Sequence, residues 1–103
     1  MKYLVSWTAR DGGSAADNEA AAKRSLQLFS KWSPPEGETF HQFLTRIDGN
    51  GGYAVVESDD PLKIAEGPAK FGPYFEFTVV PVVDIMDGLP VGNEAIEFRD
   101  SIS

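Results

Sequence analysis

The chain has 103 residues, 42% of them hydrophobic and 24% charged, with a net charge of −7 and no cysteine. That is the size of one domain, residues 1–103, apolar enough to fold along its length. Only nine Lys and Arg are present, which excludes the basic face that nucleic acid or an anionic membrane surface requires, and the missing thiols exclude disulfides, thiolate nucleophiles and zinc–sulfur sites.

Residues 2–10 alternate, with Tyr3, Val5, Trp7 and Ala9 on one side, and are predicted as a first strand. The apolar run at this end is too short for a signal peptide, and no segment is long enough to span a bilayer. A cytoplasmic location is the expectation. Asp11-Gly12-Gly13 breaks the strand. Ser14, with Asp17 three positions on, has the spacing of a capping box. The helix that follows carries Ala15, Ala22, Leu26 and Phe29 as its apolar stripe. It is expected to stop before Ser33-Pro34-Pro35, because proline supplies no amide donor.

Residues 39–48 read as a second strand, Gly49-Asn50-Gly51-Gly52 as a hairpin turn, and residues 53–58 as a third strand. A register with Asp48 opposite Tyr53 sets Arg46 against Val55 and Leu44 against Glu57. Gln42, Leu44, Arg46, Tyr53, Val55 and Glu57 then share one face. His41, Phe43, Thr45, Ile47, Ala54, Val56 and Ser58 share the other. Asp60-Pro61 is a cap with proline at the first helical position, opening a short helix weakened at Gly67-Pro68. A fourth strand is expected over residues 76–86, apolar on both faces, with Pro81 pointing to an edge position. A last helix is expected over residues 93–102.

Strand, helix, strand, strand, helix, strand, helix is the α+β order of a ferredoxin-like βαββαβ fold with a C-terminal helix. Strands one and three are then central in an antiparallel four-stranded sheet. Two helices cover one face. The doubly apolar fourth strand asks for cover on the other, and a second copy of the chain is the simplest source.

Five segments carry a family resemblance: Met1-Lys2-Tyr3-Leu4-Val5-Ser6-Trp7, Phe29-Ser30-Lys31-Trp32-Ser33-Pro34-Pro35, Phe40-His41-Gln42-Phe43, Gly51-Gly52-Tyr53-Ala54-Val55-Val56-Glu57 and Phe98-Arg99-Asp100. They resemble short bacterial proteins grouped as domain of unknown function 3303, assigned to the dimeric α/β barrels. The resemblance implies that fold and a homodimer. It implies no activity.

The candidate site residues follow from chemistry. His41 is the single histidine, a candidate for proton transfer near neutral pH; it also reads as a half-buried strand residue bonded to a neighbour. Arg46 and Glu57, with Tyr53, Gln42 and Trp7, form a candidate polar and aromatic ligand site, in which Arg46 and Tyr53 would hold an oxyanion. Arg46 and Glu57 equally read as a cross-strand ion pair. Trp7, Trp32, Tyr3, Phe40, Phe43, Tyr74 and Phe75 suit either an apolar pocket or a core and interface. One histidine cannot build a His-rich metal site, and Asp59-Asp60 reads as a cap rather than an oxygen site. The glycine-rich turn lacks the Lys and the helix of a phosphate loop, and no serine sits in a nucleophile elbow. No cofactor or metal is implied.

Two functions therefore compete. One is a homodimer that binds a small apolar or aromatic ligand in a cavity, as a binding protein or a cofactor-independent enzyme. The other is a non-enzymatic homodimer that binds a protein partner. An open cavity of several hundred Å³ favours the first, and a filled interior the second.

Overall fold

The computed structural model describes residues 1–102. The elements are β1 (Lys2–Ala9), α1 (Ala15–Lys31), β2 (Thr39–Thr45), β3 (Gly51–Glu57), α2 (Pro61–Phe71), β4 (Phe75–Val82) and α3 (Ile85–Ile102). The sheet order is β2-β3-β1-β4, and every pairing is antiparallel. This is the expected α+β ferredoxin-like arrangement, with β1 and β3 central and Pro81 on an edge strand.

Both helix starts follow their caps. Ser14 Oγ accepts from the Asp17 amide at 3.1 Å, and the Asp17 carboxylate accepts from the Ser14 amide at 3.3 Å. Asp60 Oδ1 accepts from the Leu62 amide at 3.0 Å, with Pro61 beside it. α1 ends at Lys31, ahead of the Pro-Pro turn. Of its expected stripe, Leu26 and Phe29 face the sheet side with Ser25, the residue the helix buries, while Ala15 and Ala22 are exposed. α2 continues through Pro68 to Phe71.

The β2–β3 pairing differs from the expected register. Leu44 faces Tyr53, not Glu57, and Gln42 faces Val55. A bulge between Phe40 and Gln42 makes His41 the extra residue. The turn is also displaced. It closes over Arg46 to Asn50, with the Gly49 amide on the Arg46 carbonyl at 3.0 Å and the Asn50 amide on Asp48 Oδ1 at 2.9 Å. Gly51 and Gly52 belong to β3 instead. A Cβ on Gly51 would strike the Trp7 carbonyl, and one on Gly52 would strike the Leu44 carbonyl and the Trp7 ring. These glycines serve close approach of strands, not the turn.

β4 ends at Val82, short of the expected Met86. Its pairing stops where β1 runs out, at Lys2 opposite Val82, so later residues have no ladder to join. The Asp84 carbonyl accepts from the Asp87 amide at 2.9 Å, and α3 begins at Ile85 rather than Asn93.

The core is small. Val5, Ala54, Val56 and Ile64 form its buried cluster, packed by Tyr3, Trp7, Phe40 and Phe77. The outer sheet face leaves Leu4, Leu44, Tyr53 and Val80 exposed. α3 buries none of its residues, and it leaves Met86, Val91 and Phe98 about two-thirds exposed. The Cα radius of gyration is 18.3 Å, against about 13 Å for a compact chain of this length. The accessible area is 7560 Å², against about 5,700 Å² for a compact monomer of this mass.

Candidate ligand cavity

A cavity of about 490 Å³ lies between the inner sheet face and α1 and α2, open on one side. β1 contributes Val5 and Trp7, β3 contributes Ala54 and Val56, and β4 contributes Phe75 and Phe77. Phe29 comes from the last turns of α1 and Trp32 from the cap that follows it; Ile64, Gly67 and Phe71 come from α2.

The β2 bulge is what brings Phe40 and Phe43 here together. Strict alternation would place residues three apart on opposite faces. With His41 as the extra residue, both phenylalanines line the cavity, their ring centroids 5.1 Å apart. The chain of rings continues from Phe43 to Trp7 at 5.7 Å and from Phe40 to Trp32 at 6.2 Å, both edge-on. Trp32 meets Phe71 edge-on at 5.9 Å. Such pairs add about 0.5–1.5 kcal/mol each beyond their buried area. The rings form a continuous aromatic wall along the cavity.

The polar groups around the cavity are nearly all engaged. Ser25 Oγ donates to the Ala22 carbonyl at 2.9 Å, and Thr45 Oγ1 to the Gly51 carbonyl at 3.4 Å. Trp32 Nε1 donates to the Glu66 carboxylate at 3.1 and 3.3 Å, and Lys70 pairs with the same carboxylate. The exception is Glu38. Its Oε2 is shut off from solvent and has no hydrogen-bond partner among the described residues. Burial, and then the negative charge of Glu66, raise its pKa above the ordinary glutamate value, with Lys63 acting weakly the other way. Gly37, at φ +85°, turns the chain just ahead of it.

Of the candidate site residues, Trp7 alone lines this cavity. His41 and Glu57 meet across the strands, sharing a hydrogen bond of 2.7 Å between Nε2 and Oε1. The expected face for His41, beside Phe43 and Thr45, is therefore corrected, and the bulge is the reason. Gln42, Tyr53 and Glu57 lie on the outer face with Leu4 and Ser6, the side away from α1 and α2. Arg46 lies in the β2–β3 turn, where its guanidinium binds Asp48 and not Glu57. Arg46 and Tyr53 do not converge on a common point inside the cavity. The Asn50 amide and then Arg46 hold the Asp48 carboxyl below its ordinary pKa, and the His41 bond does the same for Glu57.

Of the aromatics that suited either a pocket or a core and interface, Trp32, Phe40, Phe43 and Phe75 line the cavity with Trp7. Tyr3 packs on the core instead, and Tyr74 is not in the lining. Sequence reasoning missed Phe29, Phe71, Phe77 and Glu38. The signal for Glu38 was slight: one acid between a Pro-Pro turn and an aromatic strand. Asp60 is spent on its cap, and no group of three or more His, Asp or Glu is placed to hold a metal among the described residues. No helix among them is long and apolar enough to cross a membrane.

These features define a small ferredoxin-like α+β protein with an aromatic cavity between its sheet and helices. The model of one family, described as Domain of unknown function (DUF3303), matches residues 1–96, and the chain belongs to that family. No curated protein matches the chain.

Proposed function

We propose that this chain is a small-molecule-binding protein that holds an apolar or aromatic ligand in the cavity between α1, α2 and the inner sheet face. The supporting observation is the cavity itself: about 490 Å³ of unfilled space walled by aromatic rings, where a domain this small would ordinarily place its core. That volume is within the range of drug-sized ligand pockets, roughly 300–1,000 Å³. Glu38 is the ionisable side chain in the lining, and no His, Lys or Arg accompanies it. A general-acid–base pair is thus absent from the lining, which favours binding over turnover. His41, held against Glu57 on the outer face, has no part in this reading.

The working form in this proposal is a homodimer. Two apolar surfaces of one chain are uncovered, the outer face around Leu4 and Val80 and the whole of α3. A second copy supplies cover for both at once. The surplus accessible area over a compact monomer, about 1,900 Å², exceeds the roughly 800 Å² per partner of a standard interface. The Cys-free composition suits a reducing compartment, so the cytoplasm is the proposed location.

Both tryptophans of the chain, Trp7 and Trp32, line the cavity, so its occupancy is readable by intrinsic fluorescence. Titration with 2-naphthol should give a saturable emission change. Native mass spectrometry should give a dimer mass, with any ligand retained from the producing cells. An emission that does not respond to any apolar aromatic probe would remove the cavity from the function.

A further inference from the structure

The cavity is apolar on nearly every side, and what polarity it has is of one sign. Glu38 presents a carboxyl oxygen cut off from water with no donor facing it. An ionised carboxylate only accepts hydrogen bonds, and leaving such an atom without a donor is unfavourable.

We propose that the cavity selects a protonated primary or secondary amine on an aromatic or bulky apolar body, its N–H groups donating to Glu38. This rests on the cavity reading above and gives its ligand a charge and a donor. Three observations converge on it. Glu38 is the one ionisable side chain in the lining, and a carboxylate is an acceptor, which calls for a donor. The flanking charge from α2 is the Glu66 carboxylate, already bonded by Trp32 Nε1 and Lys70, so a second negative group would be repelled. The walls are the ring systems of Trp7, Trp32, Phe40 and Phe43, whose faces attract cations.

The alternatives are weaker on each count. An anionic ligand finds no Lys, Arg or His in the lining. Lys63 is the positive group nearest Glu38 in effect, and its Nζ is bonded to the Glu36 carbonyl at 2.6 Å. A quaternary ammonium has no N–H to give Glu38. A neutral alcohol can donate one hydrogen bond but leaves the carboxylate's charge uncompensated.

The test uses three probes of one shape, 2-naphthylmethylamine, 2-naphthylmethanol and 2-naphthoate, titrated by tryptophan fluorescence and calorimetry. The whole chain is used, unmodified and as Glu38→Gln. The amine should bind the unmodified protein at least about tenfold more tightly than the alcohol, the size expected of a hydrogen bond to a charged group. The naphthoate should bind most weakly. In Glu38→Gln the amine should lose that advantage while the alcohol binds within about twofold of before. The ranking in unmodified protein stands as a test even if the variant fails to fold. Equal binding of amine and alcohol, or a preference for the amine that survives Glu38→Gln, overturns the amine assignment and leaves the cavity reading standing. Failure of all three probes to bind overturns both.

Discussion

A single extra residue, His41, decides what each face of the sheet presents. By absorbing the bulge it turns Phe40 and Phe43 toward the helices and places its own ring against Glu57. Because the bond to His41 lowers the Glu57 pKa, its stabilising effect is present above the ordinary carboxylate range and is lost as pH falls through the lowered value. Carboxyl NMR titration should show a Glu57 midpoint below the ordinary glutamate value, returning toward it in His41→Ala. Glu38 has the opposite sign. Its pKa is raised, so its burial opposes folding at neutral pH, and that penalty is relieved as pH falls through the raised value. Glu38→Gln should therefore be at least as stable as the unmodified protein at neutral pH. The gap should close on acidification, as read by urea unfolding at several pH values.

Among the elements, β3 and α3 show opposite uses of glycine. Gly52 is buried beneath the Trp7 ring and beside the Leu44 carbonyl, with no room for a methyl group. Gly52→Ala should cost about 1–3 kcal/mol in urea unfolding, as overpacking does, and should shift Trp7 emission by moving the ring that floors the cavity. In α3, Gly88 and Gly92 have nothing within 4 Å of an added Cβ, and Pro90 lies between them. Each glycine weakens an exposed helix by about 0.5–1 kcal/mol, and an interior proline by about 3 kcal/mol. Gly88→Ala with Gly92→Ala should raise helicity by far-ultraviolet circular dichroism and stability by a similar amount per site. A loss of stability instead would mark these glycines as places where another chain packs closely.

The whole molecule is a thin layer, 62 by 32 by 22 Å, with a hollow on one side of its sheet and an uncovered apolar face on the other. The proposed homodimer accounts for the second feature. Leu4 and Val80 are cross-strand neighbours on the outer face. Leu4→Glu with Val80→Glu puts two like charges there, and light scattering should show the dimer mass fall to that of a monomer. Thermal stability of the unmodified protein should also rise with protein concentration, as it does when folding and association are linked. A concentration-independent monomer would sink the assembly without touching the cavity.

Local chemistry settled much of this in the linear chain: the Ser14 and Asp60 caps, the stop before Pro34, the edge position of Pro81 and the βαββαβ order. Each depends on residues a few positions apart, which is why spacing alone reveals them. The family resemblance was legible along nearly the whole chain, and the family model matches residues 1–96, but neither carries any chemistry. Pairing between strands decided the rest. The bulge at His41, the use of Gly51 and Gly52 beneath Trp7, and the end of β4 where β1 runs out all depend on what lies across the sheet. So does the partial burial of Glu38, whose nearby charges, Glu66 and Lys63, sit in another element. A period-two pattern cannot register one inserted residue, and an isolated glutamate looks solvated until packing removes its water.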